Sequence, residues 1–264
     1  MKPTWMIQSN IDGIDTGPLM AEVLRQDMDV VKAEYDFGKC FDFSPYTGQD
    51  CIVCYGDISF TGDIHRRAPF VPGVWRNVNS YKCSTYYAHF GELMLNQDCV
   101  LLPLAELVRR WDDFVVYPGS ELFVRPDSGT KPFTGYVTDR HKIQSLLDSV
   151  GPETLVLAAH PQLIFNELRF VICGNKVVAG CQYLPIEDVD YSTLALCLAI
   201  KVATHKWSPD LVYTVDIAET PDGFRVLEIN SFSCAGLYSC NLEPIVRSIS
   251  QLALEEWADY RATP

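Results

Sequence analysis

LVYTVDIAETPDGFRVLEINS, residues 211–231, is the stretch whose reading decides the fold. Two β-type runs flank Pro221-Asp222-Gly223, the composition of a tight hairpin turn. Glu228 and Asn230 alternate with Leu227 and Ile229, so on a strand they share a face. A three-residue turn over 221–223 pairs Thr220 with Phe224 and carries Asp216 directly opposite Glu228. Like charges set opposite one another destabilise a sheet, so something must offset them. Two carboxylates and an amide oxygen suit a hard divalent cation such as Mg²⁺, completed by waters and phosphate oxygens. The competing reading is a solvated sheet face, and the Val, Ile and Leu neighbours weigh against it. A two-residue or four-residue turn would separate the faces and remove the cation reading.

Upstream, ELRFVICGNKVVAGCQYL (167–184) predicts a second hairpin about Gly174-Asn175. It places Glu167 and Arg169 on one face, either as functional groups or as an idle surface ion pair. Further back, LFVRPDSGTKPFTG (122–135) begins as a buried strand and becomes a polar loop with Arg125 and Lys131 at its ends. TLVLAA (154–159) reads as a strand, 191–207 as a very apolar helix packed on both sides, and EPIVRSISQLALEEW as a closing helix.

The first part alternates strands and helices. TWMIQ (4–8), VVKAEY and DCIVCYG read as strands, and Thr16 is placed to cap a helix opening at Gly17-Pro18. Residues 56–80 read as a long loop, followed by helical patterns near 84–95 and 103–112. The character changes near Asp112-Asp113. The expected division is an α/β N-terminal domain, 1–112, followed by an α+β domain, 113–264.

Composition narrows the function. A net charge of −13 disfavours nucleic-acid backbone and anionic membrane as partners, so any anion site is a local basic pocket. No apolar run of about eighteen residues occurs. The start, MKPTWMIQSNIDG, has no apolar signal core, so a cytoplasmic protein is expected. The ten cysteines read as reduced core residues. Cys51 and Cys54 have redox-motif spacing, but on a strand they point to opposite faces and read as structural.

A strand with a cation, a glycine-bearing loop, a linker strand, Glu-x-Arg, then Asp and Glu-x-Asn on a hairpin: this order resembles the ATP-grasp superfamily. Within it, the chain is similar to the phage-associated clade in which arginine stands where most relatives have lysine. The resemblance covers roughly 112–240, and more loosely the preceding segment with PGVWRN (72–77). It implies ATP and Mg²⁺ as cofactors, with Asp216, Glu228 and Asn230 as metal ligands. Glu167 matches the acid that binds the ribose hydroxyls. Residues 155–159 with His160 match the hinge against which adenine packs, Ala159 included. Arg125 takes the place of the lysine on the α/β-phosphates. Lys131 lies in the loop that closes over the triphosphate, where Ser128 and Gly129 offer backbone N–H groups. Thr214 departs from the pattern, since many carboxylate ligases of this fold have arginine there. Arg169 becomes the candidate stabiliser of the developing anion. Pro126 and Pro132 make the loop stiffer than usual.

The implied activity is an ATP-dependent carboxylate–amine ligase acting through an acyl phosphate, on small-molecule or peptide substrates. Arg125, Lys131 and Arg169 would supply positioning and charge neutralisation. Ser231, Ser233 and Cys234 are expected to face the acceptor. Cys234 has no histidine near it in sequence to activate it as a nucleophile. The alternatives are a phosphotransferase using the same ATP site and a non-catalytic nucleotide-binding module. His65, Arg66, Arg67 and Arg76, in the loop 65–76, would either hold an anionic acceptor or lie on a solvated surface.

Overall fold

The computed structural model describes residues 1–36, 41–46, 51–68, 70–117, 119–185 and 192–263. Three four-stranded sheets organise it. The first contains β1 (Thr4–Gln8), β2 (Asp29–Ala33), β3 (Cys51–Tyr55) and β4 (Val71–Gly73). They lie in the order β2-β1-β3-β4, and every pair is parallel. β3 is an unbroken apolar run and β1 is apolar over its three central residues because both faces of this sheet are covered. Cys51 and Cys54 face opposite cores, as the strand reading requires.

The helix α1 (Gly17–Arg25) follows β1. Thr16 stands at its N-cap, but its hydroxyl donates to the carbonyl of Gln8 at 2.9 Å and makes no side-chain cap. The expected loop 56–80 is in part a helix, α2 (Ile58–Arg67). Asp57 caps it, accepting from the Phe60 amide at 2.7 Å. Phe60 and Ile64 anchor it in the core. With Ile58 they are the three large apolar side chains of the helix, and Gly62 between Phe60 and Ile64 hides the period. His65, Arg66 and Arg67 therefore sit on the last turn of a helix, not in a loop over a cleft. Arg66 and Arg67 pair with Asp63 at 3.2 and 2.5 Å.

Next come α3 (Cys83–Phe90), β5 (Val100–Pro103), α4 (Leu104–Arg109) and α5 (Trp111–Phe114). They are followed by β6 (Leu122–Pro126), β7 (Tyr136–Thr138), α6 (Arg140–Gln144), α7 (Leu147–Val150) and β8 (Leu155–Ala159). The second sheet is β5-β8-β6-β7, antiparallel throughout. A division at 112/113 thus passes between β5 and its partner β8.

The third sheet carries the quoted stretch. β9 (Asn166–Cys173), β10 (Lys176–Leu184), β11 (Val212–Thr220) and β12 (Gly223–Ser231) form an antiparallel sheet in the order β10-β9-β11-β12. The turn joining β11 to β12 differs from the expectation: Thr220 pairs with Gly223, so only Pro221 and Asp222 lie outside the ladder. Gly223 has φ +98°, a conformation open to glycine. That register alone would set Asp216 opposite Leu227. A β-bulge intervenes: Ile217 pairs with Val226, then Asp216 with Glu228, and Leu227 is the extra residue. The carboxylates face each other as expected, through a bulge instead of a longer turn.

The helix α8 (Thr193–Ala203) packs on this sheet. The apolar helix expected over 191–207 is covered on one side only, since Leu194 and Ile200 are 68% and 45% exposed. Tyr191, its expected first residue, lies outside the described residues. The last helix, α9 (Leu242–Ala262), returns to the first sheet. Its buried Ile245, Ile249, Ala253 and Trp257 share one core with Trp5 and Val53 of the first sheet and Val171 of the third. Among the described residues no helix is long and apolar enough to cross a membrane.

Candidate active site

The third sheet presents Arg169, Asp216, Glu228 and Asn230 on one face. Arg169 on β9 lies beside Asp216 on β11, which lies beside Glu228 on β12. Arg169 grips Asp216 with two bonds, Nε to Oδ1 at 2.7 Å and Nη2 to Oδ2 at 2.6 Å. Its Nη1 donates to the carbonyl of Gly236 at 2.8 Å. The guanidinium carbon lies 5.3 Å from the ring centre of Tyr183 and 4.9 Å from that of Tyr238. Those two rings stack 4.6 Å apart. Both charges are withdrawn from water, Arg169 being 5% and Asp216 1% exposed.

Glu228 is held from the other sheet and its loop. Arg125 on β6 donates Nη2 to Glu228 Oε2 at 2.5 Å. Lys131 donates Nζ to Glu228 Oε1 at 3.1 Å and to Asn230 Oδ1 at 2.5 Å. The Asn230 amide donates in turn to Glu228 Oε1 at 2.8 Å and Asp216 Oδ2 at 3.2 Å. The repulsion expected between Asp216 and Glu228 is therefore met by the protein's own cations. Burial alone would raise Glu228, but Lys131, Arg125 and the Asn230 bond hold it well below the usual carboxylate range. Burial raises the Asp216 carboxyl, with Arg169 opposing. Burial also works against the charge on Arg125 and Arg169, but the neighbouring acids keep both cationic.

Lys131, Arg169, Glu228 and Asn230 line a cavity of about 220 Å³, together with Ile58, Tyr81, Gly129, Ser231 and Cys234, while Arg125 and Asp216 hold Glu228 and Arg169 from behind it. A larger one, about 350 Å³, shares Gly236 and Tyr238 with it and runs past Asp15, Leu19 and Leu242. Ala159 and His160 line a third, about 240 Å³, with Asn96, Thr220 and Arg225. Glu167 accepts from the Tyr183 hydroxyl at 2.5 Å, and burial raises its carboxyl. So six of the expected residues interlock: Arg125, Lys131, Arg169, Asp216, Glu228 and Asn230. Gly129 borders the same cavity, while Ala159 and His160 belong to another.

The loop after β6 is tied at several points. Asp127 caps α3 by accepting from Ser84 N at 2.9 Å and Ser84 Oγ at 2.8 Å. Ser128 Oγ accepts from Thr130 N at 3.1 Å. A side chain at Gly129 would collide with the Val78 carbonyl, so chain packing already requires glycine there. Ser233 departs from expectation: it is fully buried and accepts from the Trp75 amide at 3.0 Å. Ser231 donates to the Trp75 carbonyl at 2.5 Å, so PGVWRN docks directly beneath the site.

Tyr183, Tyr238 and Gly236 were not legible as site residues. Tyr183 sits at a bulge where Gln182 pairs with Leu168 and Leu184 with Glu167. Tyr238 owes its place to a positive φ of 47° in a loop without a pattern.

The oxygens Glu228 Oε1 and Asn230 Oδ1 already converge on a cation, the Lys131 ammonium. These hard donors fit a divalent ion such as Mg²⁺. Both Asp216 oxygens are engaged by Arg169, so Asp216 could join only by sharing. Among the described residues no group of three or more His, Cys, Asp or Glu could hold a metal.

The fold has solved counterparts. The "RimK domain protein ATP-grasp" from Sphaerobacter thermophilus DSM 20745 superposes with a TM-score of 0.62 at 11% identity, covering 95% of this chain and 99% of that one. The D-cycloserine synthetase DcsG gives 0.62 at 12% identity, over 95% and 99%. A D-alanine–D-alanine ligase from Bacillus anthracis gives 0.59 at 13% identity, over 99% of both chains. At such identities the likeness is one of fold. No curated protein sequence matches the chain. The family model for the ATP-grasp domain, R2K clade family 3, matches residues 69–249, more than half of the chain, and the protein belongs to that family.

Proposed function

We propose that the protein is an ATP-dependent carboxylate–amine ligase. The observation that carries this reading is the interlocked set of three cations and two acids, of which Lys131, Arg169 and Glu228 line one cavity, with Glu228 and Asn230 already gathered on a positive charge. Family membership supports ATP as the nucleotide, and a D-alanine–D-alanine ligase of this fold is known in complex with ATP. A substrate carboxylate attacks the γ-phosphorus of ATP, the β–γ bridge breaks, and an acyl phosphate forms. An amine then attacks the acyl carbon and expels phosphate. The barrier is largely repulsion between anions, and fixed cations lower it. Arg125 and Lys131 bind phosphate oxygens, and the free N–H groups of Arg169 face the developing anion. Mg²⁺ on Glu228 and Asn230 would neutralise phosphate charge. Glu167 receives the ribose, and Ala159 and His160 border the base.

The same proposal includes Arg125 as the replacement of a lysine, the phage association of the clade, and a cytoplasmic location. It also includes a division of labour between 1–112 and 113–264. The experiment is incubation with ATP, Mg²⁺ and mixed carboxylates and amines, followed by mass spectrometry. ADP with an amide product supports the ligase. A phosphorylated product without amide refutes it in favour of a phosphotransferase.

A further inference from the structure

Two thiols lie just outside the charged lattice. Cys181 on β10 and Cys240 beyond Tyr238 are buried, 5% and 4% exposed, with their sulfurs 3.0 Å apart. Cys181 pairs across the sheet with Arg169. Its sulfur lies 3.9 Å from the Leu237 carbonyl, and that of Cys240 lies 3.9 Å from the Arg169 carbonyl. The pair therefore bridges β10 to the loop 235–240. That loop gives Gly236 O to Arg169 and Tyr238 to the wall between two cavities.

The chain's other core cysteines behave differently. Burial pushes the Cys54 thiol up strongly and that of Cys173 to about 12. At Cys181 the hydrogen bond from Cys240 outweighs burial and lowers the thiol to about 7. A thiolate is the reactive form of cysteine. Leu237 also lines the 350 Å³ cavity, so a small oxidant there stands close to the pair.

The geometry points to a peroxide-sensitive disulfide site, with Cys181 attacking and Cys240 resolving. The Cys181 thiolate attacks one oxygen of hydrogen peroxide and the O–O bond breaks. The displaced hydroxide takes a proton and leaves as water, and Cys181 becomes a sulfenic acid. The Cys240 sulfur then attacks the Cys181 sulfur. The S–S bond forms, the S–O bond breaks, and the oxygen leaves as a second water carrying the Cys240 proton. Two thiols are oxidised by two electrons, and one peroxide is reduced to two waters. The bond ties positions 59 apart in sequence and fixes the loop 235–240 against β10. A thiol reductant reverses it by exchange.

The test treats the full chain with a modest excess of hydrogen peroxide, digests it without reductant and maps the peptides by mass. The expected result is a Cys181–Cys240 linked peptide that dithiothreitol releases, with a raised melting temperature that falls back on reduction. Cys240→Ser should leave a dimedone-reactive sulfenic acid on Cys181, and Cys181→Ser should leave Cys240 unlabelled. If exposed Cys197 is oxidised while Cys181 and Cys240 are recovered as free thiols, the proposal is overturned. The wild-type map decides alone should either serine variant fail to fold.

Discussion

Asp216→Asn tests the charge lattice directly. Two facing acids alone would repel, so neutralising one would raise the stability of the empty protein. The geometry predicts the opposite. Asp216 takes two bonds from Arg169, at 2.7 and 2.6 Å, and a third from Asn230 at 3.2 Å. An asparagine keeps the shape and one acceptor oxygen but strips the charge, leaving a buried guanidinium with only neutral acceptors, that oxygen and the carbonyl of Gly236. Breaking a buried pair by removing one partner costs about 3–5 kcal/mol. For a chain of this size each kcal/mol moves the melting temperature by about 2–4 °C, so a fall of roughly 6–20 °C is expected. The assay is thermal denaturation without nucleotide or metal, read as a double-mutant cycle with Arg169→Met. The double variant should melt above Asp216→Asn alone, because it leaves no stranded charge. An Asp216→Asn protein that melts at or above wild type would refute the neutralised-pair account and restore simple repulsion.

Arg125→Lys should lower ATP turnover by at least about tenfold although charge is kept, since an ammonium cannot fork onto two oxygens; steady-state kinetics showing full activity would reduce Arg125 to a point charge. Lys131→Ala should bind Mg²⁺ more tightly than wild type in the absence of nucleotide, because its ammonium sits on Glu228 and Asn230; titration calorimetry with equal or weaker affinity would refute that competition. Turnover of the same variant should fall strongly, while its melting temperature changes by only a few degrees, as suits a side chain one-third exposed. Glu228→Gln concerns pH: a carboxyl held below its ordinary 4.5 contributes stability above that pH and loses it as pH falls through its folded value. The melting gap between wild type and Glu228→Gln should therefore be widest near neutrality and shrink below about pH 4.5, and a pH-independent gap would contradict the shift.

The hairpins and the polar residues on them were legible because period-two alternation survives in a sequence regardless of context. Asp216, Glu228 and Asn230 do share a face, and so do Glu167 and Arg169. What the sequence does not carry is the bulge. Pro221 and Asp222 make a two-residue turn that by itself sends Glu228 to the wrong partner, and Leu227 corrects it. A bulge has no residue signature of its own, so the right pairing followed from an incorrect turn length. The helix over 58–67 was hidden for a related reason, since Ile58, Phe60 and Ile64, interrupted by Gly62, are too few to display a helical period.

The least legible property was the balance of charge. Read in one dimension, Arg125, Lys131 and Arg169 are far from Asp216 and Glu228, and each acid looks like a ligand awaiting a metal. In three dimensions the cations already occupy those acids. The chain carries a net charge of −13, yet here Arg125 and Lys131 hold Glu228 and Arg169 holds Asp216, three cations on two acids. Such a set is stable when empty, because each buried charge has a partner. It is also poised for an anion. A triphosphate that draws Lys131 and Arg125 away frees Glu228 and Asn230 at the same moment. Those oxygens then need a new cation, so nucleotide and divalent ion should bind with positive coupling. Wild-type titrations of each with and without the other should show the same gain in affinity in both directions. Independent binding would mean that Lys131 stays on Glu228 and Asn230 with nucleotide bound, and the lattice would then be a structural clamp.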